Sequence, residues 1–179
     1  MKWTMRVAVA VLLVGLSATV LLSAANGGKL KVVTPGMILN LMVFGQKAAI
    51  PANKEASLPP GEYKPAGIEL YARGVDNKGK PVLWKLTSSG PYGKLATISV
   101  AQGETTEVEG GEPITVKASC SILAKGTTKA VYVGLAYVGK SGEMYSPAVY
   151  RGKMRAPTPQ LQFSDESGKV LHTGTFEYG

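Results

Sequence analysis

With 179 residues, 45% of them hydrophobic, and a formal net charge of +8, the chain is long enough to bury a core and too apolar to be disordered. Its 20 basic residues stand singly rather than in a run or stripe, which argues against a nucleic-acid partner. One cysteine and one histidine exclude an internal disulfide framework and leave only carboxylates to complete any metal or catalytic centre.

At the N-terminus, Lys2 and Arg6 precede an uncharged apolar stretch, Val7–Ala24, that exits through Ser23-Ala24-Ala25 into Asn26-Gly27-Gly28. A charged segment, an apolar segment and a small-residue exit predict a signal helix over 1–25, cleaved between Ala25 and Asn26. The competing reading is an uncleaved helix anchored in the inner membrane, because the apolar stretch is close to the shortest that spans a bilayer. No cysteine lies at the junction for lipidation, and no twin-arginine pair precedes it. The expected location is periplasmic or extracellular, with no stable membrane span after cleavage.

Past residue 25, helical periodicity gives way to short alternating runs punctuated by Gly, Pro, Asn and Ser. MILNLMVF (37–44) reads as a core strand. Residues 45–66 hold four prolines and read as loop with one short strand near Ala48–Ile50. GIELYAR (67–73) sets Ile68, Leu70 and Ala72 on one face. PVLWKLT (81–87) groups Val82, Trp84 and Leu86, which places Trp84 in the core. KLATISV (94–100) groups Ala96, Ile98 and Val100. GETTEVEGGEP (103–113) reads as a solvated edge strand and loop. PITVKASC (113–120) sets Ile114, Val116, Ala118 and Cys120 on one face, so Cys120 is expected to point inward as a small hydrophobe. AVYVGLAYV (130–138) is a second apolar run, followed by an extended connector at 153–160.

The last segment, DESGKVLHTGTFEYG (165–179), raises the question of a catalytic cluster. It is read instead as a hairpin turn, DESGK, and a return strand. GVDNKGK (74–80) repeats the Asp-x-x-Gly-Lys pattern, and Asp and Gly supply the side-chain bonds and positive φ that such turns need. The pattern of about nine to eleven short strands predicts an all-β, mostly antiparallel β-sandwich. Residues 26–179 are expected to form a single domain, with a subdivision near 110–120 left open.

Candidate ligand-binding residues are few. Tyr92, in the loop SSGPYGK, is expected to be the exposed ring suited to stacking on a sugar. Glu104, Glu107, Glu109 and Glu112 form the best acidic surface for a divalent cation, although charged edges also serve simply to block strand pairing. His172 has no companion histidine, and Asp165 and Glu166 fit turn chemistry better than a carboxylate pair. Tyr63, just past Pro59-Pro60-Gly61, is placed to bond the turn backbone through its hydroxyl. No metal, cofactor or catalytic residue is assigned.

LPPGEYKP (58–65) and LWKLTSSGPYGKLATISVAQGETTEV (83–108) resemble exported bacterial β-sandwich proteins of the carboxypeptidase-regulatory-like or transthyretin-like kind. The shared elements are an L-P-x-G-x-Y corner and a V-x-x-G-x-T-x-x-V strand ending, here Val100 to Val108. The resemblance covers residues 58–108 and implies a non-catalytic module with a structural or protein-interaction role in the envelope. The implied partner is an envelope or extracellular protein or polysaccharide. A carbohydrate- or divalent-cation-binding module is the alternative.

Overall fold

The computed structural model describes residues 27–76, 78–126 and 128–177. They form strands and, at Gly93–Leu95, one 3-10 turn; no α-helix occurs among them. The expected signal helix and the Ala25–Asn26 junction lie outside the described residues. In chain order the strands are β1 (Gly28–Val32), β2 (Met37–Val43), β3 (Gln46–Pro51), β4 (Glu55–Leu58), β5 (Gly61–Tyr63), β6 (Pro65–Val75), β7 (Pro81–Ser88), β8 (Ile98–Val100), β9 (Thr105–Val108), β10 (Thr115–Lys125), β11 (Thr128–Val138), β12 (Met144–Tyr145), β13 (Tyr150–Arg151), β14 (Met154–Arg155), β15 (Gln160–Ser164) and β16 (Val170–Thr175).

The largest sheet has the order β14-β13-β7-β6-β2-β3, and a three-stranded sheet has the order β4-β1-β9. β5 pairs with β8, β10 with β11 and β11 with β12, and β15 with β16. All ladders are antiparallel except β1 with β9. β2 is an interior strand of its sheet, between the edge strand β3 and β6. Its MILNLMV run explains the place: Met37, Leu39, Leu41 and Val43 turn inward, and Asn40 is buried as well. Leu30 and Val32 from β1, Ile50 from β3, Ile68 and Leu70 from β6, Ile98 and Val100 from β8 and Val108 from β9 complete the cluster. Past Val108, only Tyr145 and Ala148 among the described residues add buried apolar side chains. The core therefore belongs to β1–β9, closed by the short β12.

The turns follow the expected chemistry. Asp165 Oδ1 accepts from the Ser167 and Lys169 backbone N–H groups, each at 3.0 Å, and Gly168 takes φ +84°. Asp76 Oδ1 accepts from Lys78 N–H at 2.8 Å and Lys80 N–H at 2.9 Å, with Gly79 at φ +73°. Both hairpins thus use one aspartate-capped turn. Those bonds hold both carboxyls below their ordinary range; the Ser167 hydroxyl leads at Asp165 and the Lys80 N–H at Asp76. Tyr63 Oη donates to Pro59 O at 2.7 Å, as its position past the corner suggested.

Four local expectations are corrected. Residues 45–66 contain β3, β4 and β5 rather than one short strand, because the prolines sit at strand ends and tolerate the missing N–H. At 94–100 the strand is confined to β8. The 3-10 turn resets the alternation, so Leu95 is buried and Ala96 is exposed. Trp84 is half-buried and not in the core. Cys120 is exposed, as is Val116; only Ile114 of that face packs against the core. Alternation correctly groups the side chains of a face, but it cannot supply a second layer to cover them.

Leu39→Ala, at the centre of the buried cluster, is expected to cost about 2–5 kcal/mol of unfolding free energy. Ile122→Ala, on the exposed β10, is expected to stay within about 0.5 kcal/mol. Urea denaturation of both variants checks the contrast.

Candidate interaction site

β10 and β11 form a two-stranded arm, paired without interruption from Thr115↔Val138 to Lys125↔Thr128. Eleven residues of strand reach roughly 35 Å. Among the described strands, β10 has β11 as its only neighbour, and β12 covers the far side of β11 only at Tyr137 and Val138. The arm has two unlike faces. Val116, Ala118, Cys120 and Ile122 share one face with Val131, Val133, Leu135 and Tyr137 across the register. Lys117, Ser119 and Ser121 lie on the other, with Tyr132 and Gly134. The apolar face is open to solvent: Ile122 is 65% exposed, Val116 58% and Val131 51%.

The C-terminal hairpin, β15 with β16, presents a second apolar surface. Leu161 pairs with Gly174 and Phe163 with His172 on one of its faces. An open groove of about 730 Å³ separates this face from the arm, lined by Val131, Val133, Leu161, Phe163, His172 and Phe176 among others. His172 is exposed and stands beside Phe163, with ring centroids 6.3 Å apart. The sole histidine is thus part of an apolar wall.

A feature missed in the sequence holds the base of the arm. Glu143 is fully buried, and no salt bridge reaches it among the described residues. Its Oε1 accepts from Gly111 N–H and from the Tyr145 hydroxyl, the latter at 3.0 Å. Its Oε2 accepts from Ser141 N–H at 3.0 Å. Gly111 precedes β10, and Ser141 follows β11, so one carboxylate ties together the two chain segments from which the arm departs. Lys140 N–H donates to Gly111 O at 2.9 Å and Ser141 Oγ to Glu109 O at 2.8 Å, reinforcing the junction. The pocket needs small residues: a Cβ on Gly139 would fall on the Glu143 carboxylate, and one on Gly110 would crowd it. KSGE (140–143) looks like an ordinary exposed turn in the sequence. The available signal was the apolar flank Met144-Tyr145 and the glycines at 110, 111 and 139.

The predicted ligand-binding residues do not converge. Tyr92 is half-buried against the core, not exposed, and burial raises its hydroxyl above its ordinary value. Glu107 and Glu109 bond Lys31 at 3.2 Å and Lys140 at 2.6 Å. Glu104 and Glu112 are exposed. No group of three or more metal-ligating side chains gathers among the described residues. Comparison with known proteins adds no template: no family model, no curated protein and no solved structure matches this chain.

Tyr145 provides a test of the clamp. Burial first, and then the Glu143 charge, push its ionisation far above the ordinary 10.0. A proton held more tightly in the folded state stabilises the fold fully below the unfolded pKa and progressively less as pH rises past it. Stability is therefore expected to fall from about pH 10 upward. Tyr145→Phe should lower stability by about 1.5–3 kcal/mol at neutral pH and make the alkaline decline shallower. The decline persists in part because Tyr63 and Tyr71 are raised as well. Glu143→Ala, which strands three donors, should cost at least about 3 kcal/mol. Urea titrations between about pH 8 and 11 check all three statements.

Proposed function

We propose that this chain is a non-catalytic β-sandwich module, exported and envelope-associated, that acts by binding a protein partner. The single observation that carries the reading is the arm. A long strand pair leaves an apolar face and an unpaired edge in water while the core is completed without it. Exposed apolar patches of this kind mark interaction surfaces, and free edges accept a further strand. The Ig-like or transthyretin-like character and the envelope setting rest on the resemblance at 58–108 and on the signal-like N-terminus. A polysaccharide partner and the carbohydrate- or cation-binding alternative lose support, because Tyr92 is half-buried against the core and two of the glutamates are engaged by lysines.

The test is affinity capture from an envelope extract with the wild-type chain, an Ile122→Asp/Val131→Asp variant and a Glu107→Gln/Glu109→Gln variant. The expected result is a stoichiometric protein retained by the wild type and the glutamine variant, and reduced at least about tenfold by the aspartate variant. Capture indifferent to the arm, or retention of glycan alone, overturns the reading.

A further inference from the structure

The arm, taken as the interaction surface in the preceding reading, also carries information about what fits it. The outer edge of β11 is also open short of Tyr137, and the remaining sheet edges among the described strands are protected by ordinary means. β4, β9 and β14 are four residues or shorter. β3 carries Lys47 and ends in Pro51, and the short C-terminal hairpin has a register irregularity at Phe163/Ser164. β10 is eleven residues long, has no proline and no bulge, and Thr115–Ala124 are all exposed. A two-stranded ribbon is marginal by itself, and three or more strands with an apolar face are what make a sheet independently stable.

We propose that β10 pairs edge to edge with β10 of a second copy of this chain, antiparallel about a two-fold axis through Cys120. The register supports this choice of occupant. Cys120 is the midpoint of β10, so full overlap places Cys120 opposite Cys120. Ala118 then faces Ile122, Val116 faces Ala124 and Ser119 faces Ser121. Small residues meet larger ones on either side of the axis, whereas an axis at Ser119 would set Val116 against Ile122 and one at Ser121 would set Ala118 against Ala124 and Lys117 against Lys125. The lysines are also staggered, because Lys117 falls opposite Leu123 and Lys125 opposite Thr115. Directly opposed residues of an antiparallel pair point to the same side. The two apolar half-faces therefore become one, on a four-stranded sheet in the order β11-β10-β10-β11. The charged residues of the arm are all lysines, Lys117, Lys125 and Lys129, and the chain as a whole carries a net charge of +8. Association then works against repulsion, so added salt strengthens it, whereas salt weakens binding to an acidic partner.

The experiment uses the chain from Asn26 onward, without the apolar segment expected to be cleaved. Light scattering across a wide concentration range, at low and high salt, measures the monomer–dimer equilibrium. Diamide then oxidises exposed thiols; it takes up the two electrons and two protons released as two cysteines join. Opposed residues of an antiparallel pair lie about 4.5–5.5 Å apart at Cα, within disulfide reach. The expected results are a dimer favoured by salt and Cys120 cross-linking at least about tenfold faster than Cys120→Ser/Thr115→Cys, an exposed site off the axis. Cys120→Ser/Ala118→Cys/Ile122→Cys should cross-link as readily as the wild type. Cys120→Lys, which sets like charges face to face without touching the core, should weaken the dimer at least about tenfold. A chain that stays monomeric, a dimer that salt weakens, a dimer indifferent to Cys120→Lys, or cross-linking no faster than at position 115 overturns the proposal. A monomer that still captures an envelope protein through the arm would refute the self-pairing alone and leave the binding-module reading intact.

Discussion

The buried carboxylate of Glu143 is the constraint on which the outer half of the molecule depends. A charge buried without a cation is costly unless its oxygens are hydrogen-bonded. Here the partners are two backbone N–H groups and one phenol. They come from the segment before β10, the turn after β11 and β12 itself, so satisfying the charge brings those segments into contact. The glycines at 110 and 139 follow from the same requirement, since a side chain there would occupy the space of the carboxylate. The register of the arm is set at this junction, and from there it extends by backbone pairing alone.

Core and arm represent two different ways of holding strands. In β1–β9, apolar faces close on one another, and the energy comes from burial, about 25 cal/mol for each Å² of apolar surface removed from water. In the arm, the ladder is complete but little is buried, so its bonds compete with water along their length. Regions with few buried apolar contacts open locally at low cost. The arm is therefore expected to be held at its base and loose at its tip near Gly126.

The parts of this structure that were legible in the sequence are those determined locally. Two aspartate-capped turns, the Tyr63 corner bond and the inward set of β2 and β6 each depend on residues close together in the chain. What escaped depends on distant neighbours. Ile114, Val116, Ala118 and Cys120 were correctly assigned to one face, yet whether anything covers that face is decided by the placement of β15 and β16. Glu143 escaped for the same reason: its ligands Gly111 and Ser141 belong to different loops, and KSGE by itself is a common turn. Tyr92 looked exposed because its loop is rich in Ser, Gly and Pro, but the loop folds its ring back onto the core.

An open edge beside a fully satisfied clamp is informative in combination. The clamp leaves no buried polar side-chain atom without a partner among the described residues, so the junction is not a strained or unfinished site. The short edges and the glutamate-lysine pairs at Lys31 and Lys140 show that exposed strand ends elsewhere are kept from pairing further. Against that background the arm is the exception: it is anchored at one end, carries an apolar face, and its β10 edge has no charged residue between Lys117 and Lys125. Keeping such a strand in water invites unwanted association. The feature is economical only if the edge is normally covered, and an antiparallel copy of itself satisfies its length, its small-to-large alternation and its lysine spacing at once.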